Sequence, residues 1–202
     1  LLFGAYKDGD FQTMLELEKK IQEINPGYRL GAFLAIDAGL DEAVIEETKE
    51  ALEANGIQDN VDEYPDQIDY PHPYLLGYGL WLMGEYEMAE HYFQLEIRMH
   101  EESLKQNEPY MHSGISIDAA KAYAFTGNIE KACESLEAIQ NRYRIVSSTF
   151  IAMIKLSPLF DPIRDEPCYK DIMQKMEVTR QAELDRVRRW LEETGRMEAL
   201  LH

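Results

Sequence analysis

Basic residues are scarce in this chain. Its 202 residues carry 38 Asp and Glu against 20 Lys and Arg, which gives a formal charge of −18 and a sequence pI of about 4.6. A nucleic-acid ligand needs clustered Lys and Arg to neutralise its phosphates, and carboxylates dilute each basic stretch here. The same charge disfavours anionic membrane surfaces. We therefore predict no direct nucleic-acid or membrane binding, and the charge fits a solvated surface, which we favour, or a basic partner.

Long apolar runs and cysteines are also few. No stretch reaches the roughly 18 apolar residues of a membrane span, and the start at Leu1 lacks the pattern of a signal peptide. The two cysteines, Cys133 and Cys168, lack CxxC spacing, so we predict reduced thiols in a cytoplasmic protein. A periplasmic location stays open if a parent protein is membrane-anchored. Because the chain begins inside a helical pattern, we expect it to be the C-terminal part of a longer protein.

Catalytic and ligand-binding motifs are missing as well. The chain contains no Gly-rich phosphate loop, no GxSxG elbow and no HExxH pair. The acidic stretch 66–72 ends at His72 and has residue types that metals prefer, but we interpret it as a solvated loop shaped by its prolines. We therefore predict that the chain is not an enzyme and has no catalytic, cofactor or metal site.

Helical periodicity is what the chain does contain. Apolar residues recur at three- and four-residue spacing, and alternating strand patterns are almost absent. Four short turns share one form. A small residue is followed two positions later by an apolar or aromatic residue, and five positions later by a residue predicted to pack between the two helices. The small residues are Gly9, Ala38, Gly84 and Gly127, and the packing positions are Met14, Ala43, Ala89 and Ala132. Since glycine ends helices readily, this pattern predicts a helical hairpin repeated four times.

The third hairpin, within residues 74–97, resembles a tetratricopeptide (TPR) repeat. It has the Leu-Gly pair, the turn glycine, the small residue and the aromatic of that family at Leu76, Gly77, Gly84, Ala89 and Phe93. The turns are spaced 38 − 9 = 29, 84 − 38 = 46 and 127 − 84 = 43 residues apart, against about 34 in the family. The resemblance implies an all-α fold, an irregular right-handed α-solenoid of antiparallel helix hairpins over residues 1–156 with turns near 9, 38, 84 and 127.

The tail is similar to the stretch that closes many bacterial TPR proteins. In residues 157–167, Pro162 and Pro167 follow acidic residues, as is usual in the first turn of a helix. We expect Phe160 and Ile163 to be buried against the last hairpin. Two helices, at about 167–176 and 178–194, are then predicted to cap the same solenoid within residues 157–202.

The TPR resemblance implies a protein–protein interaction or scaffold domain that binds a peptide or partner protein in a concave groove. Tyr74, Tyr78 and Trp81 have the spacing of one helical stripe, and the family's groove positions add Arg29 and Lys121. Packing between hairpins explains the stripe equally well. The first alternative is a regulatory domain of a multidomain bacterial signalling or transcription-regulating protein, which would use the repeats to sense a small ligand or to form a homodimer. The second is a helical enzyme without a recognisable motif.

Overall fold

The computed structural model of the protein describes residues 10–24, 32–57, 72–106, 113–142 and 148–196. Over these ranges the chain forms nine α-helices and one 3₁₀ helix, Pro158–Ile163, with no strand, so the prediction of an all-α fold is confirmed. The α-helices are α1 (Phe11–Ile24), α2 (Ala32–Asp37), α3 (Asp41–Ala54), α4 (Pro73–Met83), α5 (Tyr86–Gln106), α6 (Ser113–Phe125), α7 (Ile129–Arg142), α8 (Ser148–Leu156) and α9 (Pro167–Glu193). None of these helices is long and apolar enough to cross a membrane.

Two of the predicted turns end their helices in the same way. Gly84 after α4 has φ 86°, and Gly127 after α6 has φ 82°. The glycine N–H donates to the carbonyl three residues back and the next N–H donates to the carbonyl five residues back, as from Asn128 to Tyr123 at 2.8 Å. This pair of bonds satisfies carbonyls left open at a helix C-terminus, and it needs a left-handed residue. The next helix begins two residues after each glycine.

The predicted alignment of the second turn is wrong by one residue. Gly39, and not Ala38, has the positive φ of 67° and makes the same pair of hydrogen bonds. The equivalent of Ala89 and Ala132 is therefore Val44, which is buried, whereas Ala43 is exposed. The conformational freedom of glycine decides the position of this turn, because a residue that is merely small still carries a Cβ. The first predicted turn residue, Gly9, lies outside the described residues.

Two glycines on α4 allow the preceding helix, α3, and the following helix, α5, to approach it closely. A Cβ at Gly77 would lie 3.2 Å from the Ala89 carbonyl oxygen and 3.3 Å from the Phe93 ring, both on α5. A Cβ at Gly79 would lie only 1.8 Å from Oγ1 of Thr48 on α3. The absence of a side chain at these two positions thus allows α4 to lie close to both α5 and α3.

The core joins distant parts of the chain. One large apolar cluster extends from α2 to α9, and a second consists of Met14 on α1, Leu34 on α2 and Ala152 on α8. Leu40 and Met153 pack against both clusters. As a result, α8 lies against the first two described helices as well as against the main core.

The closing stretch of the tail is buried as expected. Phe160 and Ile163 of the 3₁₀ helix are fully buried, and this helix packs on α6 in the last predicted hairpin. The Arg164 guanidinium donates hydrogen bonds to the carbonyls of Lys155 and Ser157, the latter at 2.8 Å. Arg164 therefore satisfies carbonyls at the end of α8, which no longer have partners within the helix.

Helix α9 departs from the prediction of two capping helices. It runs without interruption from Pro167 to Glu193. The residues around position 177 include neither glycine nor proline, so nothing in the local sequence ends the helix there. Its first half packs on α7 and α8, where Lys155 and Glu177 form an ion pair at 2.5 Å.

The prediction of two reduced thiols is wrong, because Cys133 on α7 and Cys168 on α9 form a disulfide. Their Cα atoms are 6.0 Å apart, although 35 positions separate them in sequence. The pairing arises because α9 folds back onto α7 after the 3₁₀ helix. The prediction depended on the spacing of the two cysteines along the chain, and that spacing does not show that they are close in the folded structure.

Candidate functional site

The structure places the predicted site residues in two different environments. Tyr74 and Tyr78 are buried at 2% and 6% exposure, whereas Trp81 is 42% exposed. Lys121 is buried beside Tyr74, and Arg29 lies outside the described residues. The predicted stripe therefore begins in a buried polar cluster and ends at the surface.

The polar cluster connects α4, α5 and α6. Lys121 Nζ donates a hydrogen bond to the Tyr74 hydroxyl at 3.1 Å and lies 4.9 Å from the centroid of its ring. The Tyr74 backbone N–H, in the first turn of α4, donates to Glu96 Oε2 at 3.4 Å. His72 Nδ1 pairs with Asp118 Oδ2 at 3.1 Å. Three helices thus meet through polar and charged side chains, each of which would destabilise the fold if it were buried without a partner.

The charges within the polar cluster shift several pKa values. Among the residues that the structure describes, the carboxylates of Asp37, Glu96 and Asp118 are buried together with one lysine, Lys121. Burial, followed by the charge of Asp118, raises the pKa of Glu96 to about 7. The hydrogen bond that His72 Nδ1–H donates to Asp118 raises the pKa of His72, although burial opposes the shift. Burial and then the carboxylates raise the pKa of Tyr74 well above its ordinary value. The cluster can therefore take up protons near neutral pH.

Two members of this cluster, Glu96 and Asp118, were not predicted. Each interrupts an apolar run, Glu96 between Leu95 and Ile97 and Asp118 between Ile117 and Ala119. A carboxylate at a position that helical periodicity assigns to the core was the signal that could have revealed them. Within the described residues, no three His, Cys, Asp or Glu side chains are arranged to hold a metal ion.

A second group of side chains, which we call the aromatic edge, consists of Tyr78, Trp81, Tyr86 and Phe125. Trp81 stacks on Tyr78 with centroids 6.0 Å apart and meets Phe125 edge-on at 5.3 Å. Tyr86 lies 6.5 Å from Trp81 across the turn at Gly84 and is 64% exposed. Such offset and edge-to-face contacts are the favourable arrangements of aromatic rings.

The aromatic edge is anchored in the core and bordered by carboxylates. Phe125 also contacts Phe93, at 5.0 Å between centroids, so the exposed rings are backed by buried ones. Burial raises the pKa of Tyr78 to about 12, and the nearby charges of Asp41 and Asp161 contribute to the shift. Both of these aspartates are exposed. The arrangement provides a fixed apolar surface with a negative border.

Comparison of the chain with family models, with curated proteins and with solved structures finds no match. The functional interpretation therefore depends on the geometry of the polar cluster and of the aromatic edge.

Proposed function

We propose that this chain is a protein-interaction module that binds a peptide or a partner protein through the aromatic edge. The observation that carries the proposal is the exposure of Trp81 and Tyr86 while their neighbours hold them in place. Tyr and Trp dominate binding energies at interfaces because they supply large contact areas. Side chains that are already ordered lose little entropy when a partner binds.

The border of the aromatic edge indicates the chemistry of the partner. Asp41 lies near the Tyr78 hydroxyl, and the exposed Glu85 is adjacent to Tyr86. Asp161 is also near this hydroxyl, but its carboxylate already pairs with Arg164. A segment with an apolar anchor flanked by Lys or Arg would be complementary, since the cations could approach both the carboxylates and the ring faces. The net charge of −18 would accelerate the association of a basic partner at low ionic strength.

A right-handed, TPR-like α-solenoid is the architecture that we propose for this module. Three equivalent turns support it, since the buried positions Val44, Ala89 and Ala132 are spaced 89 − 44 = 45 and 132 − 89 = 43 residues apart. Helices α3 to α7 also pack consecutively. Because Tyr74 and Lys121 are buried in the polar cluster, the binding surface that we propose is the aromatic edge and not a groove around those two residues.

An affinity pull-down with this chain as bait tests the proposed function. We expect proteins retained by the wild type to be lost with Trp81→Ala/Tyr86→Ala, while the melting temperature changes by less than a few degrees. Met99→Ala is the matched control, because Met99 is similarly exposed at 44% but lies on α5 outside the aromatic edge. Equal retention by all three baits would overturn the proposal, and a large loss of stability in the double variant would assign its rings to the core.

A regulatory or sensory domain is the second candidate function. The observation that favours it is the polar cluster, in which Glu96, with its pKa raised to about 7, lies between packed helices close to the His72–Asp118 pair. Protonation there could alter how α4, α5 and α6 pack. The pH dependence of stability, discussed below, tests whether the cluster responds in this way.

A further inference from the structure

The second half of α9 carries an apolar stripe that continues its buried face. In the first half, Tyr169, Ile172, Met173 and Met176 pack into the core. The same three- and four-residue spacing continues along the helix to Leu184, Val187, Trp190 and Leu191. Three of these side chains are large and exposed: Leu184 at 47%, Val187 at 46% and Trp190 at 49%. We call these four residues the α9 stripe.

The polar side chains around the α9 stripe interact within their own helix. Arg186 pairs with Glu183 at 2.7 Å, and Arg188 lies 3.6 Å from Asp185. Among the ion pairs of the described residues, the one between Glu177 and Lys155 is the last that joins α9 to the body. Beyond Glu177, α9 extends for 16 residues to Glu193, or about 24 Å at 1.5 Å per residue.

The charge of this segment differs from that of the rest of the chain. Residues 178–196 contain five arginines and four carboxylates, a balance of 5 − 4 = +1, which leaves −18 − 1 = −19 for the remaining residues. Between two copies of the chain, electrostatic repulsion would therefore come from the residues outside 178–196, which we call the body, and not from residues 178–196 themselves. The exposed apolar surface and the nearly neutral charge coincide on one segment.

We propose that the α9 stripe is covered by the α9 stripe of a second copy, in an antiparallel pair of helices. The antiparallel orientation places the two acidic bodies at opposite ends of the pair, whereas a parallel orientation would place them side by side. The interface is isologous, because the same surface contributes from both copies. This inference concerns a different surface from the proposed partner-binding site and is independent of it.

Sedimentation equilibrium from about 1 µM to about 100 µM tests the proposal, because so short a helix pair buries less area than a tight interface. We expect the wild type to be a reversible dimer and Val187→Glu to be monomeric. Val178→Glu is the matched control: Val178 is 62% exposed, and nine residues from Val187 it points to the opposite side of the helix, so this variant should stay dimeric. A wild type that is monomeric throughout, or a Val187→Glu variant that dimerises like the control, would overturn the proposal.

Cysteine cross-linking tests the orientation. The natural cysteines are bonded to each other, so an engineered cysteine supplies the free thiol. In an antiparallel pair, Val187→Cys near the middle should cross-link on oxidation, and Thr194→Cys at the end should not. Efficient cross-linking at both positions indicates a parallel pair and contradicts the proposal. Trp81→Ala/Tyr86→Ala should remain dimeric, which separates this test from that of the partner-binding site.

Discussion

Single atoms set the distance between helices around α4. Gly79 faces Thr48, whose hydroxyl donates to the Val44 carbonyl at 2.8 Å and is therefore held in position. Gly77 and Ala89 belong to one hairpin, so the turn pattern already predicts that the two helices carrying them pack together. The contact of Gly79 with Thr48 could not be predicted, because it joins helices on either side of a long loop whose path the local pattern does not determine.

We expect Gly79→Ala to destabilise the protein by about 1–3 kcal/mol, because the new methyl group overlaps Thr48 Oγ1 and the two helices must separate. Urea unfolding measures the loss. In the double variant Gly79→Ala/Thr48→Ala the closest overlap, with Oγ1, is removed and only Cβ of residue 48, at 2.8 Å, still crowds the new methyl group, so its loss should be smaller than the sum of the two single losses. Additive losses would show that the two positions do not meet.

The buried carboxylates of the polar cluster show another limit of prediction at this scale. Lys121 was predicted as a groove position, but the sequence contains no indication that it would be buried against Tyr74. Whether Glu96 is buried depends on Tyr74 and Asp118, which come from two other helices. The interacting residues were visible in the sequence, and their convergence was not.

Most elements could be predicted, because helical periodicity and the turn glycines are local properties. The exception is the C-terminal part, where α9 is one helix and a disulfide connects it to α7. Through this bond the tail is attached covalently to the last predicted hairpin. The bond closes a loop that contains α8 and the 3₁₀ helix, so neither can leave the body without stretching the chain between two fixed points.

Reduction of the disulfide between Cys133 and Cys168 should lower the free energy of unfolding. For a loop of 35 residues, the gain in entropy of the unfolded chain corresponds to about 4 kcal/mol. Urea unfolding with and without a reductant measures the difference. The variant Cys133→Ala/Cys168→Ala should have the lower stability under both conditions, and a response of this variant to the reductant would contradict the explanation.

The polar cluster makes the stability of the whole molecule depend on pH. Within the described residues, the buried carboxylates outnumber the buried cations, and protonation of Glu96 reduces this excess of negative charge. The pKa of Glu96 is about 7 in the folded state and 4.5, its ordinary value, in the unfolded state, so the folded state retains the proton to a higher pH. The contribution of Glu96 to stability is therefore complete below pH 4.5 and is lost as the pH rises through 7. The raised pKa of His72 acts in the same direction above pH 6.5. The lowered pKa of His100 opposes it below 6.5.

We expect the free energy of unfolding to fall by on the order of 2–3 kcal/mol between about pH 5 and about pH 8. Urea titrations across this range measure the slope. Glu96→Gln should flatten it, because the amide cannot ionise, whereas Glu87→Gln at an exposed position of α5 should retain it. A slope that is unchanged in Glu96→Gln would show that other groups carry the pH dependence.

The cluster of Met14, Leu34 and Ala152 connects parts of the chain that are 152 − 14 = 138 residues apart. Helical arrays whose units touch only their neighbours tolerate the addition or loss of a unit at either end. Here a duplicated hairpin would move α8 away from α1 and α2 and expose both sides of this contact. This contact between distant parts of the chain therefore fits only the present number of hairpins. Adding a hairpin by duplication would lower the stability of the protein instead of raising it.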